Sequence, residues 1–395
     1  MQKDCVLYSK EVKFPINQVQ STIVVAGNGS GKNKCYLEPN IKNSANNTLV
    51  ITDVGENLLD ASKNDLLKKG YQVCVLNFDT TKGALSNFNP LAYISNDISE
   101  IISFVRDFIR QTNGDMHGAD IFWEETETIL LSAVVSYVLT EFKEHPDKQN
   151  LLTVKNILSG LSTMSEEDAD AFFANTTDAT LRCWQGFSAV SGKVKNAIFI
   201  SALVRFSMFS HPAVQDSVTK NDIDVNIINE NKKIAIFIET SSVDTSLSFL
   251  YVSAVQTLLK LAYQADKGKK RKNKVRFIFD DLLGLGKLSL LSKYVSAASI
   301  HNVVFDLVVP SIEQFETTYK DEFPILLATS NIVIFDSTSH FEWVFFQNLL
   351  SESKLSVNNI SLSDLPAQKC VIYINGNVMI GDKISLDNIA ETSTM

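Results

Sequence analysis

Ser21-Thr22-Ile23-Val24-Val25-Ala26-Gly27-Asn28-Gly29-Ser30-Gly31-Lys32-Asn33 is the stretch that decides the fold of this chain. An apolar, β-branched run leads into a Gly-rich turn, and Gly31-Lys32 then opens a predicted helix. Strand, turn and helix in that order make a phosphate-binding loop. Backbone N–H groups from Gly27, Asn28, Gly29, Ser30 and Gly31 can surround a β-phosphate, and the positive end of the following helix adds to the attraction. Lys32 is placed to reach the β- and γ-phosphates. The next position in such loops carries a Ser or Thr hydroxyl that ligates Mg2+. Here it is Asn33, whose carbonyl oxygen is also a possible ligand but sits on a larger side chain. The alternative for the whole segment is a Gly-rich β-to-α turn that holds no ligand.

Outward from the loop, further runs have the character of strands: Thr48–Thr52, Gln72–Leu76, Ile234–Ile238, Val275–Phe279, Val303–Val309, Ile332–Phe335 and Val371–Ile374. Several are almost continuously β-branched or aromatic, the pattern of strands covered on both faces, as in a parallel sheet. Helical periodicity lies between most of them, for example over Phe249–Tyr263, and this alternation predicts a doubly wound α/β domain. One interval breaks it. From about Asp97 to Asn226 the pattern is helical, including Ile98–Arg110, Trp123–Phe142 and Lys193–Met208. An inserted all-helical domain fits that interval better than a long loop. The expected division is therefore residues 1–94 with 228–395 as the α/β domain, and 95–227 as the insert.

A chain of 395 residues with 45% hydrophobic content can bury a large core, and two domains are the natural expectation. The net charge of −9 argues against a surface that grips nucleic acid all over, while leaving room for a local basic channel. The five cysteines are scattered, without CxxC pairs or histidines at metal-ligand spacing, and read as reduced packing residues. The best apolar stretch, Ile129–Leu139, is too short to cross a bilayer, and the first residues lack the apolar core of a signal peptide. A cytoplasmic location is the expectation.

A phosphate loop needs a partner on the metal side, usually an acid at the end of a neighbouring strand. Val275-Arg276-Phe277-Ile278-Phe279-Asp280-Asp281 supplies two. Asp280 is the candidate to hold Mg2+, directly or through water, and Asp281 the candidate to activate an attacking water. Two acids at the solvent end of a strand are also common without any such role. Asp53, at the tip of the second strand, can touch water or metal near the phosphates, or cap the following helix. The basic run Lys267–Lys274 is either a solvated loop or a contact to a nucleic-acid backbone.

At this point the residues resemble a known family, the coupling proteins of type IV secretion and conjugation (TraG/TraD-like DNA-transfer ATPases). The resemblance runs from about Ser21 to Asp387. It rests on the loop Val24–Asn33 with Tyr36 and Pro39-Asn40; on Val50-Ile51-Thr52-Asp53; and on Asn89-Pro90-Leu91-Ala92-Tyr93-Ile94. It continues through Phe122-Trp123-Glu124 with Glu127 and Leu130-Leu131, then Gly192-Lys193 leading to Arg205-Phe206, and last Asp280-Asp281 with Gly286. The resemblance implies a RecA-like P-loop nucleotide-binding domain with a mainly parallel sheet and an inserted all-α domain. It implies ATP and Mg2+ as cofactors, DNA and a relaxase or other secretion cargo as partners, and an oligomeric ring delivering that cargo to the type IV secretion channel. Many members carry N-terminal membrane helices; this chain shows no transmembrane segment, so attachment at the membrane would come through partners.

Departures from the family pattern gather where hydrolysis would occur. Asn33 replaces the Mg2+-ligating hydroxyl, and Asp281 stands where a Glu is usual, one methylene shorter. A misplacement of about 1 Å can cost on the order of a hundredfold in rate. Val54-Gly55-Glu56-Asn57 replaces Pro-Lys-Gly-Glu. Val295-Ser296-Ala297-Ala298-Ser299 lies where the family has an arginine-bearing segment, and Pro310 where a phosphate-sensing Gln is expected. Beyond Arg205 the only arginines are Arg271 and Arg276. Two functions follow: a DNA-pumping ATPase acting as a homo-oligomeric ring, or a degenerate, non-hydrolysing relative acting as scaffold, adaptor or hetero-ring subunit.

Overall fold

In the computed structural model of this chain, the residues described are 4–55, 58–112, 121–244, 246–264, 271–335, 340–352 and 365–384. Glu56, Asn57 and the first half of the basic run, Lys267-Gly268-Lys269-Lys270, lie outside them. The chain divides into two units: residues 1–75 with 225–243 and 258–395, and residues 76–224 with 244–257.

The β-branched runs pair into one large sheet. In chain order the strands are β1 (Cys5–Leu7), β2 (Lys13–Pro15), β3 (Ser21–Val25), β4 (Thr48–Val54), β5 (Gln72–Asn77), β6 (Ile234–Thr240), β7 (Val275–Phe279), β8 (Val303–Val309), β9 (Asn331–Ile334), β10 (Lys369–Ile374) and β11 (Asn377–Asp382). Among the described residues, nine of them form a sheet in the order β11-β10-β9-β3-β8-β7-β4-β6-β5, while β1 and β2 form a separate antiparallel pair. From β9 across to β6 the neighbours run parallel. Every residue of β3, β6, β7 and β8 is buried, which is why these strands show no polar alternation.

The strand β11 had not been expected. It returns antiparallel to β10 through Asn375-Gly376, both at positive φ. Asn-Gly is the usual sequence of a two-residue hairpin turn, so the signal was present.

The strand order places β8 between the loop-bearing β3 and β7, so the carboxyl ends of β3, β7 and β4 form one edge, where ligands gather in open α/β sheets.

Residues 78–233 contain no strand among the described residues. The helix Ile121–Glu141 is buried at every residue from Thr126 to Ser136 except Ile129, which is half-buried, with helices Ile98–Gln111 and Asp178–Ser188 packed against it. A helix apolar all round is a core helix, which accounts for its long hydrophobic run. No single helix among the described residues is long and apolar enough to cross a membrane.

The flanking helices start at side-chain caps. Asp97, Asn150, Ser165 and Thr177 accept hydrogen bonds from the N–H groups of Ser99, Thr153, Asp168 and Thr180. Asn89 also caps, accepting from Leu91 N (3.1 Å). Its own N–H donates to Asn221 Oδ1 (2.8 Å), and Asn87 binds Asp222, so the two ends of the helical segment are tied together.

Two of the sequence motifs meet inside this unit. Glu127, almost fully buried, receives Arg205 Nη2 at 3.0 Å and Ser201 Oγ at 3.1 Å, and Arg205 also donates to the carbonyl of Ile109. A buried carboxylate requires that full set of donors.

Candidate nucleotide site

The phosphate loop begins where β3 ends. Ala26 N donates to Val309 O at the adjacent strand end, and Ser30 N closes a turn onto Gly27 O (3.2 Å). Gly29 and Gly31 stand at φ +81° and +85°. Side chains are strained at those angles, so these two glycines are conformational requirements. A Cβ on Gly29 would meet nothing within 4 Å, so the tip is open. Asn28 and Gly29 are exposed, whereas Ser30 is buried.

The helix after the loop starts irregularly. Asn33–Leu37 is a single π-type turn, followed by the α-helix Glu38–Asn43. Such turns are rare and recur at functional sites. The turn carries Tyr36, whose hydroxyl donates to Asp306 Oδ1 at 2.6 Å. Asp306 in turn is held by Arg276 Nε (2.6 Å) and Nη2 (3.0 Å), and Arg276 Nη2 reaches Asn40 Oδ1 (2.9 Å). Burial works against the guanidinium charge, but the Asp306 carboxylate more than offsets it, and the net pKa lies above the usual value. This network, fully enclosed, clamps the start of the helix onto β7 and β8. Tyr36 and Asn40 belong to the family-like sequence pattern; their partnership with Arg276 and Asp306, more than 200 residues away, was not readable from it.

The structure brings Lys32 and the main chain of Asp280 together. Lys32 Nζ donates to the main-chain carbonyl of Asp280 (3.2 Å). The Asp280 carboxylate is fully buried, with Thr52 Oγ1 donating to Oδ1 (2.9 Å) and Val54 N to Oδ2 (2.8 Å). Burial, followed by the negative charge of Asp53, pushes its pKa up to about 7; the Val54 and Thr52 hydrogen bonds and Lys32 oppose that rise. A cation near this carboxylate would relieve its desolvation. Among the described residues no group of three or more His, Cys, Asp or Glu side chains could hold a metal by itself.

Asp281 is the second acid of this strand end. It lies at the surface end of β7, and its Oδ1 accepts from Gly284 N (3.1 Å), capping the turn that follows. Asp53 accepts from Leu59 N (3.0 Å), the helix-capping alternative. Pro310 follows β8 beside the loop: its carbonyl is the nearest atom, at 3.9 Å, to a Cβ built on Gly27. Proline brings neither a side-chain amide nor an N–H to that place.

Both arginines beyond Arg205 are buried. Arg276 is in the network above, and Arg271 donates to the carbonyl of Ala262. Arg271 therefore turns away from solvent into the protein, and burial lowers the pKa of Lys274 at the other end of the described part of the basic run. Lys383, just after β11, is a site residue that the sequence did not suggest: its Nζ donates to Ser30 O at 3.0 Å.

Comparison with known proteins follows the same lines. The family model described as Type IV secretory system Conjugative DNA transfer matches residues 2–340. The bacterial conjugative coupling protein TrwBdeltaN70, in complex with sulphate, superposes with a TM-score of 0.66 at 14% identity, covering 92% of this chain and 85% of that one. Plasmid coupling protein TrwB in complex with ADP and Mg2+ gives 0.67 at 15% identity, over 98% and 89% of the two chains. VirB4 of Thermoanaerobacter pseudethanolicus gives 0.60 at 11% identity, over 98% of each. No curated protein sequence matches significantly. The structural likeness establishes a RecA-like P-loop fold with an all-α domain. The family match spans most of the sequence, and this chain therefore belongs to the type IV secretion coupling protein family, the conjugative DNA transfer proteins.

Proposed function

We propose that this chain is a coupling-protein ATPase subunit that binds ATP with Mg2+, engages DNA, and delivers DNA or relaxase-bound DNA to a conjugative type IV secretion channel. The observation that carries the proposal is the meeting of Lys32 with the end of β7 beneath a loop whose Gly29 and Gly31 hold positive φ. In this role the N–H groups from Gly27 to Gly31 surround the β-phosphate, and Lys32 reaches the β- and γ-phosphates. Asn33 and Asp280 would hold Mg2+, which supplies charge neutralisation across the phosphates. Asp281 would orient or deprotonate the attacking water once it releases Gly284 N. Solved structures of TrwB with ADP and Mg2+, and with ATP and GTP analogues, support nucleotide binding on this fold. The subunit works in a homo- or hetero-oligomeric ring, on the cytoplasmic side of the membrane, held there by channel components.

A second function is favoured by specific observations: a non-hydrolysing scaffold, adaptor or hetero-ring subunit. Asp281 is engaged as a turn cap, Pro310 lacks donors, and Arg271 and Arg276 are both buried in their own subunit. Neither arginine is placed to stabilise phosphoryl transfer on a neighbour, a contribution worth on the order of a thousandfold or more in rate. Steady-state ATP hydrolysis with Mg2+ and single-stranded DNA separates the two. Turnover that disappears in Lys32→Ala supports the motor. Turnover equal to that of Lys32→Ala, under conditions where a related motor works, refutes it in favour of the second function.

A further inference from the structure

Lys383 is 9% exposed, unusually deep for a lysine. Its ammonium is fixed from two sides: it donates to Ser30 O (3.0 Å) and lies 5.0 Å from the centroid of the Phe335 ring. Phe335 in turn meets Tyr36, on the irregular turn after the loop, edge to face. Lys383 is also close enough to Cys35, the thiol beneath Gly31, for its charge to oppose the rise that burial imposes on that thiol. The lysine therefore sits directly behind the phosphate loop.

Ser30 O and Gly31 N–H are the two ends of one peptide dipole. A charged donor on the oxygen draws electron density away from the nitrogen and makes its N–H a stronger donor. In a phosphate loop the N–H groups turn inward to the anion while the carbonyls turn outward. We infer that Lys383 is a positioning residue for nucleotide phosphate: from the C-terminal hairpin it polarises the Ser30–Gly31 peptide and holds the loop in its anion-binding shape. This inference rests on the nucleotide-binding function proposed above. It also gives the hairpin β10–β11 a task, since β11 delivers Lys383 to the loop.

The test is titration of the full chain with a fluorescent ADP analogue in Mg2+, alongside Tm measured without nucleotide. Wild type, Lys32→Ala, Lys383→Gln and Lys383→Met are compared. Glutamine keeps a donor for Ser30 O but removes the charge. Lys383→Gln is expected to weaken binding about tenfold, equivalent to about 1.4 kcal/mol, with Tm nearly unchanged. Lys383→Met is expected to weaken it at least as much. If Lys383→Met does not fold, Lys383→Gln decides alone. Wild-type affinity in Lys383→Gln, with or without a lowered Tm, overturns the inference and leaves the nucleotide function standing. Absence of binding by wild type, or equal binding by Lys32→Ala, overturns that function and the inference with it.

Discussion

Replacing Arg276 with methionine tests the clamp behind the phosphate loop. Methionine fills much of the space of the arginine stem but removes three hydrogen bonds, two to Asp306 and one to Asn40. Asp306 is completely buried and would keep Tyr36 as a donor. Breaking a buried ion pair from one side costs about 3–5 kcal/mol, because the remaining charge is stranded or must take up a proton. The neutral acceptor at Asn40 adds about 1 kcal/mol, partly offset by the apolar packing of methionine. Arg276→Met is therefore expected to lose about 3–5 kcal/mol in urea unfolding followed by circular dichroism. Hydrogen exchange should rise first in β7, β8 and the turn Asn33–Leu37. The double variant Arg276→Met/Asp306→Leu should recover a large part of the loss, since the stranded charge is gone. A loss below about 1 kcal/mol, or a double variant less stable than Arg276→Met, would refute the reasoning.

Asp280→Asn should change how stability depends on pH in metal-free buffer. Unfolded, Asp280 ionises near 3.8; folded, near 7, so between those values the native state holds more protons and stability falls as pH rises. The penalty is complete above pH 7 and has an upper limit of about 4 kcal/mol, reduced by the hydrogen bond that asparagine returns less well. The asparagine variant should melt higher than wild type at pH 8 and show no advantage at pH 4; a lower Tm at pH 8 counts against the buried-carboxylate assignment. Gly31→Ala forces a side chain to φ +85° and should destabilise by about 1–2 kcal/mol while weakening nucleotide binding; retention of both would contradict the loop geometry. For DNA, neutralising Lys267, Lys269, Lys270 and Lys272 together should flatten the salt dependence of binding, the slope falling by about 0.7–0.9 for each of these lysines that pairs with a phosphate. An unchanged slope assigns the run to solvent. Arg271 is left intact in that experiment because it packs inside the protein.

Local patterns carried much of the architecture. Runs of β-branched and aromatic residues marked Val275–Phe279 and Val303–Val309 to the residue, because burial on both faces favours apolar side chains and the one charge in each, Arg276 and Asp306, is paired with the other. The strands β1 and β2 are three residues each, too short to show a period, and β11 was announced only by Asn375-Gly376. Helices Leu151–Leu161, Glu166–Phe173 and Asp178–Ser188 lie within the interval expected to be helical and start at Asn150, Ser165 and Thr177, caps that would have delimited them.

The site divides in the same way. Lys32 and Asp280 lie in motifs whose spacing and context carry their chemistry. The capping of Gly284 by Asp281 is local, yet an acid after a strand reads equally as a cap or a base. The partnerships of Asp306 with Tyr36 and of Lys383 with Ser30 join residues 270 and 353 positions apart, and a single sequence has no periodicity that reports such pairs.

The most direct test is calorimetric titration of Mg2+·ATP into wild type and Lys32→Ala. Saturable one-site binding by wild type, weakened at least about tenfold in Lys32→Ala, is the predicted result. Equal affinity in the two proteins, or no binding by wild type, would contradict the assignment of Gly27–Asn33 as the nucleotide site.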